Sequence, residues 1–261
     1  MKYRPSSIIS RPLTIGFSPC PNDCFIFHAM LHDKIDTEGL KFIPVIEDVE
    51  SLNRRSTSSN NSAEKRQLDI TKLSFMAFAK AQNNYALLDA GAALGFGVGP
   101  LVITSSKIKR LTSNLRVAIP GKNTTANLLF SLAYPQLKNK TEILFSKIED
   151  AVLNGKVDWG VIIHESRFTY EQKGLKKIID LGEWWEEKTN LPIPLGGIAI
   201  KKNLQGLSCF ENLTILAFQK KINRIIRKSV EFAFANPNSS RSFIKKHAQE
   251  MEDEVIKKHI D

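Results

Sequence analysis

From Leu13 to Ile200 short aliphatic runs alternate with segments of helical spacing, and that alternation restricts the chain to an α/β fold. Leu13–Phe17, Leu40–Val45, Leu68–Ser74, Tyr85–Leu88, Leu101–Thr104 and Leu115–Pro120 are predicted strands, followed by Thr141–Phe145, Val161–Ile163, Leu175–Leu181 and Ile198–Ile200. Predicted helices occupy Cys24–Leu31, a segment opening at Glu47, Phe75–Ala81, Asn127–Ala133, Ile148–Leu153 and Glu183–Asn190. Leu191–Gly197, with two prolines and two glycines, reads as a loop. Phe218, Ile222, Ile225, Ile226 and Val230 then recur at helical spacing up to the stop at Asn236-Pro237, and Ser239–His247 and Glu252–His259 read as terminal helices. Loop lengths divide the chain into two lobes. Residues 1–103 and 198–261 form a larger discontinuous lobe, 104–197 a smaller inserted one, and Leu101–Thr104 and Gly197–Ile200 are the expected hinge strands.

In such sheets ligands bind at the carboxyl ends of the strands, where helix N-termini converge. The stretch Val157–Phe168 sends a buried strand toward that edge and places His164 immediately after three consecutive aliphatics. An imidazole so placed either moves a proton or hydrogen-bonds a neighbouring loop. Gly121–Ala126 follows another strand and opens a helix with two threonines, Thr124 and Thr125, which suits a small anion or plain capping. Ser18–Asp23 leads into the first helix in the same way. The four glycines between Ala90 and Pro100 suit tight turns at a hinge or pocket wall.

Several other chemistries are excluded by spacing. Gly121-Lys122 is not a P-loop, because Arg116 fills the upstream glycine position and Asn123 the Ser/Thr position. The glycines before Pro100 lead into a strand, not the helix of a dinucleotide fingerprint. His28 and His32 are four apart but lack the glutamate and third ligand of a zinc site, and Phe27 interrupts a cluster-binding cysteine pattern begun by Cys20 and Cys24. No Gly-x-Ser-x-Gly elbow occurs. No metal is expected.

The net charge of +10 points to anionic partners. The lysines are scattered, and Lys220, Lys221, Arg224, Arg227 and Lys228 read as a solvated helix face, so the expected partner is a small anionic substrate, with no nucleic acid or membrane. Cys20, Cys24 and Cys209 form no even disulfide framework, and Met1–Ser10 lacks the apolar core of a signal peptide, so a cytoplasmic protein is expected. Ser56–Gln67 is polar and reads as an exposed loop.

Ordered motifs add a resemblance. Gly16–Asp23, Glu47–Glu50 with Leu52-Asn53, Asp69–Phe75, Ala93–Leu101, Gly121–Thr125, Ile163–Glu165 with Arg167–Tyr170, and Leu195–Gly197 run through nearly the whole chain. In these motifs the chain resembles the 1,4-dihydroxy-6-naphthoate synthase family of the futalosine route to menaquinone. The resemblance implies a two-lobed periplasmic-binding-protein-like type II fold with an interlobe cleft, a lyase acting on cyclic dehypoxanthine futalosine, and no cofactor. It makes His164 the proton acceptor and Lys72, Leu73, Ser74, Thr124 and Thr125 substrate contacts. The residues alone single out His164 and Gly121–Thr125; Lys72–Ser74 enter through the resemblance only. Two departures stand out: Ser56–Gln67 exceeds the family's link, as a surface insertion would, and the chain ends at Asp261 where relatives continue for a further helix, which is expected to loosen C-terminal packing. The alternatives are a cytoplasmic solute-binding module and a chorismate-dehydratase-like enzyme of the same fold. The motif around His164 favours the naphthoate synthase.

Overall fold

Leu13, Ile15 and Phe17 alternate onto one face of β1 (Leu13–Phe17) and join a single core. In the computed structural model, which describes residues 11–58, 66–105, 112–164, 166–204 and 215–247, this strand pairs in parallel with β2 (Phe42–Ile46) and β3 (Ile70–Ser74). The last strand among the described residues, β11 (Ile193–Lys201), runs antiparallel to β3 and carries β4 (Tyr85–Leu87) and β5 (Ala93–Gly95) on its other side. The result is a six-stranded sheet. Phe27 from α1 (Pro21–Leu31) and Ile222, Ile225 and Ile226 from α8 (Ile215–Ala235) cover the Leu13/Ile15/Phe17 face. Each such side chain, taken from water, contributes roughly 1.5–3 kcal/mol before chain entropy is counted. On the opposite face α2 (Val49–Thr57) approaches so closely that a Cβ on Gly16 would stand 2.8 Å from Leu52 Cδ2. The short α3 (Phe75–Ala81) follows β3 directly, and α9 (Arg241–His247) packs near α1 through Phe243.

The second sheet has five strands in the order β10 (Lys176–Asp180), β6 (Leu101–Thr104), β9 (Trp159–Ile162), β7 (Val117–Ile119), β8 (Lys140–Glu142). Trp159 and Val161 face Leu129 and Phe130 of α4 (Thr125–Ala133), in a core that also takes Leu181 from α7 (Leu181–Thr189). The intervening positions face α5 (Ile148–Leu153): Ile162 packs there, and a Cβ on Gly160 would meet Ile148 Cγ2 at 2.6 Å. The period-two pattern along β9 thus fixes both faces, and its end delivers the chain to α6 (Ser166–Thr169).

Three expectations need correction. Leu101–Thr104 does not cross between sheets; it pairs with β9 and β10 inside the second one. The glycine-bearing residues 96–100 make the crossing instead, and a Cβ on Gly99 would lie 2.6 Å from the backbone of Gly182, so the chain passes tightly beside the start of α7. Leu191–Gly197 is a strand from Ile193 onward, with Pro194 opposite Leu94 beside a register shift, where the ladder does not require its missing N–H. The chain changes sheet between β5 and β6 and again just before Ile193. Finally, the strand before His164 runs Trp159–Ile162 rather than Val161–Ile163. Most of the polar stretch 56–67, Cys209, Glu165 and the Glu252–His259 segment lie outside the described residues. Among the described residues no helix is long and apolar enough to cross a membrane.

Candidate active site

The sheets meet at a cleft of about 510 Å³. Strand–helix connections set its walls: Cys20 caps α1, Val49 opens α2 and Thr124 caps α4, and all three border the space. First-turn N–H groups have no partner within their own helix, so these ends give the cleft a positive bias suited to an anion. Lys72, Leu73, Ser74, Thr124, Thr125 and His164 all border the same cleft. Residues 92 positions apart in the chain, from Lys72 to His164, are thereby brought to one space.

His164 lies just beyond β9 with φ +57, in the left-handed region. That conformation costs a non-glycine residue on the order of 1 kcal/mol and persists only where the surroundings enforce it. Its ring meets Phe145 edge-on, with centroids 5.1 Å apart at 70°, and its carbonyl accepts from the Arg167 N–H at 3.3 Å. Buried Ser166 donates to Glu149 Oε2 at 3.2 Å, tying the start of α6 to α5. Arg167, another cleft residue, donates to the carbonyls of Gly99 at 2.7 Å and Gly97 at 3.0 Å and pairs with buried Asp180 at 2.6 Å.

Lys72 is buried on β3 and its ammonium has committed partners. Nζ lies 3.0 Å from Asp23 Oδ1 and donates to the Gly91 carbonyl at 3.2 Å, which occupies two of its three N–H bonds. Asp23 Oδ2 accepts from the Ser18 N–H at 3.0 Å and the Ser18 hydroxyl at 2.8 Å. Burial pushes the Asp23 carboxyl upward, but the Lys72 charge and the Ser18 donors outweigh it and hold the group below the ordinary carboxylate value. Cys20 behaves differently: burial and the Asp23 charge push its thiol up to about 12, so it caps α1 rather than serving as a nucleophile. Ser74 is fixed by Asn53, which donates to its Oγ at 3.1 Å and accepts its N–H at 3.0 Å.

Thr124 Oγ1 accepts from the Asn127 N–H at 3.1 Å and donates to the Gly121 carbonyl at 2.8 Å, the geometry of a helix cap. Thr125 Oγ1 donates to the Leu195 carbonyl at 3.0 Å, linking α4 to β11 across the sheets. The Gly121 turn is held from the other side by Glu50, whose carboxylate accepts from the Asn123 N–H at 3.1 Å and side-chain amide at 2.9 Å. Lys80 donates to Asn123 Oδ1 at 2.8 Å, and Arg54 pairs with Glu142 at 2.6 Å. These polar contacts fasten α2 and α3 of the first sheet to the β7–α4 turn and to β8 of the second.

Sequence reasoning missed the roles of Asp23, Asn53, Glu50 and Arg167. All four stand within the matched motifs, but nothing in their local pattern reveals partners 49, 21, 73 and 13 positions away (Lys72, Ser74, Asn123 and Asp180). His28 and His32 stack on each other at 4.6 Å beside Phe243. They lie outside the cleft lining.

A family model described as menaquinone biosynthesis matches residues 13–261. The 1,4-dihydroxy-6-naphtoate synthase of Thermus thermophilus is 43% identical over 249 residues, covering 95% of this chain and 84% of the relative. The enzyme of the same name from Streptomyces coelicolor is 39% identical over 254 residues, covering 95% and 83%. Among solved structures, protein AF1704 of Archaeoglobus fulgidus superposes with a TM-score of 0.81 at 36% identity, over 96% of this chain and 87% of that one. The periplasmic aliphatic sulphonate binding protein SsuA of Escherichia coli gives 0.62 at 13% identity, over 96% and 78%, and shows the shared two-lobed α/β fold alone. The chain belongs to the menaquinone biosynthesis family.

Proposed function

We propose that the protein is a 1,4-dihydroxy-6-naphthoate synthase, a lyase that fragments cyclic dehypoxanthine futalosine. The observation that carries this reading is His164, an imidazole held at φ +57 on the wall of a cleft ringed by helix N-termini. Residues held in sparsely populated backbone regions cluster at functional sites, and an imidazole placed there can accept a proton near neutral pH. The two relatives that bear this enzyme name match along 95% of the chain.

In this mechanism His164 takes the proton that starts the fragmentation. Formation of the aromatic bicycle supplies driving force, so the protein contributes a positioned base and a cleft with little water. General base catalysis of this kind is worth roughly 10²–10⁴ in rate. The substrate carboxylate rests on the first turn of α4, at Thr125 and Ala126, because Lys72 already neutralises Asp23. Leu73 and Ser74 line the facing wall. The two sheets are the cores of two lobes that close on the ligand, and the enzyme acts in the cytoplasm on a small anionic substrate, without cofactor, nucleic acid or membrane.

The test is turnover of cyclic dehypoxanthine futalosine by the purified protein, with 1,4-dihydroxy-6-naphthoate detected by mass and absorbance. Product formation by the wild type but not by His164→Ala is the expected result; no product from the wild type overturns the assignment.

A further inference from the structure

The mouth of the cleft is apolar in a way its floor is not. Phe96 is 72% exposed, Leu94 59%, Val98 41% and Phe168 36%, and all four border the cleft. Large apolar side chains scattered singly on a surface need no explanation, but several gathered on one concave wall mark a binding surface. Phe234, comparably exposed, packs its ring against Phe25 at 5.2 Å, whereas Phe96 meets no other aromatic ring among the described residues.

The backbone that carries Phe96 is nevertheless held. Gly97, at φ +62, donates its N–H to Glu186 Oε1 at 2.8 Å, and Arg167 grips the carbonyls of Gly97 and Gly99. Arg167 is itself anchored on Asp180, whose side chain is 1% exposed. A fixed loop that projects an unpacked aromatic ring loses little conformational entropy when the ring finds a partner. Arg167 also follows His164 by three positions, so the residue that sets the loop sits on the turn that sets the base.

We propose that Phe96 is a specificity-determining residue for the reaction proposed above, packing on the fused ring system of the substrate while the carboxylate lies on the polar floor. The segregation of the cleft selects such a molecule: an anion at one end, a flat apolar body at the other. Leu94, Val98 and Phe168 complete the collar and exclude water from the face of the ring.

The test uses the full chain with Phe96→Ala and Phe96→Trp, titrated calorimetrically with 1,4-dihydroxy-6-naphthoate and with benzoate, which reaches only the floor. Phe96→Ala should weaken naphthoate binding by roughly ten- to thirtyfold, as expected for loss of one ring–ring contact and its burial. Phe96→Trp should stay within about threefold of wild type, and benzoate affinity should change less than about twofold in either variant. Because the ring is exposed, melting temperatures should be unchanged. The inference rests on the proposed activity, and the two fail differently. A wild type that forms product while Phe96→Ala binds naphthoate equally well overturns the inference alone, as does equal weakening of both ligands. A wild type that binds no naphthoate and forms no product overturns both.

Discussion

Asp23 Oδ1 lies 3.0 Å from Lys72 Nζ, with the two side chains 4% and 9% exposed, and this pair joins α1 to β3 inside the cleft wall. Removing one partner of a buried pair strands the other charge, at a cost of about 3–5 kcal/mol. Asp23→Asn should therefore unfold at clearly lower denaturant concentration. The pH dependence has a defined sign. The folded carboxyl sits below its ordinary 3.8, so its contribution is complete above that value and is lost as pH falls from 3.8 through the lowered folded value. Stability measured across that acid range should fall less steeply in Asp23→Asn than in the wild type. An unchanged slope would remove the pair from the acid response.

His164 offers a separation of strain from chemistry. His164→Ala and His164→Gly both delete the imidazole and should lose roughly 10²–10⁴ in kcat. Only glycine relieves the left-handed backbone, so His164→Gly should be about 1 kcal/mol more stable than His164→Ala. Equal stability of the two variants would mean that the φ of +57 is not a stored cost.

The position of His164 was legible because an ionisable residue followed an aliphatic run at the end of a strand, where α/β sheets gather ligands. Its backbone conformation was not, since no local signal marks a non-glycine residue for the left-handed region. The Gly121–Thr125 turn was equally legible as glycine plus hydroxyls before a helix, yet whether Thr124 binds or caps depends on where Gly121 and Asn127 point in space. Lys72 was read from motif resemblance alone, because its meaning lies in Asp23, on another element. The sheet assignment failed at β11 for a similar reason. Pro192 and Pro194 are breakers by propensity; Pro192 stays just outside β11, and pairing with β5 beside a register shift accommodates Pro194 in the strand.

The threonines should respond differently from one another. Thr124 Oγ1 commits its one donor to the Gly121 carbonyl and accepts from the Asn127 N–H as the α4 cap, so Thr124→Val should lose about 1 kcal/mol of stability and Thr124→Ser should retain it. With the anion on the helix N–H groups, naphthoate affinity should change less than about threefold in Thr124→Val. Thr125→Val instead removes a bond to Leu195 on the other sheet, worth about 1 kcal/mol, and should weaken ligand binding more than Thr124→Val does. Calorimetric titration beside thermal melts decides it: a large affinity loss in Thr124→Val with an unchanged melt would put the hydroxyl on the ligand.

Glu50 and Gly121 face each other across the junction of the sheets, and a Cβ on Gly121 would collide with the Glu50 carboxylate. The glycine also has φ +155, which disfavours any larger residue there. Gly121→Ala must therefore push the β7–α4 turn away from Glu50 and weaken the two hydrogen bonds that Asn123 makes to it. Hydrogen bonds to a charged group are worth about 1.5–3 kcal/mol each, enough to shift an equilibrium between closed and open arrangements of the two lobes tenfold or more. Small-angle scattering of the unliganded variant should show a larger radius of gyration than the wild type, and naphthoate at high concentration should restore compaction. Turnover should fall through KM more than through kcat, because His164 and its support on α5 are untouched by the substitution. Glu50→Gln keeps the shape but removes the charge, and should show the same direction of change at smaller size. Scattering profiles that coincide for Gly121→Ala and the wild type would show that Glu50 does not hold the sheets together.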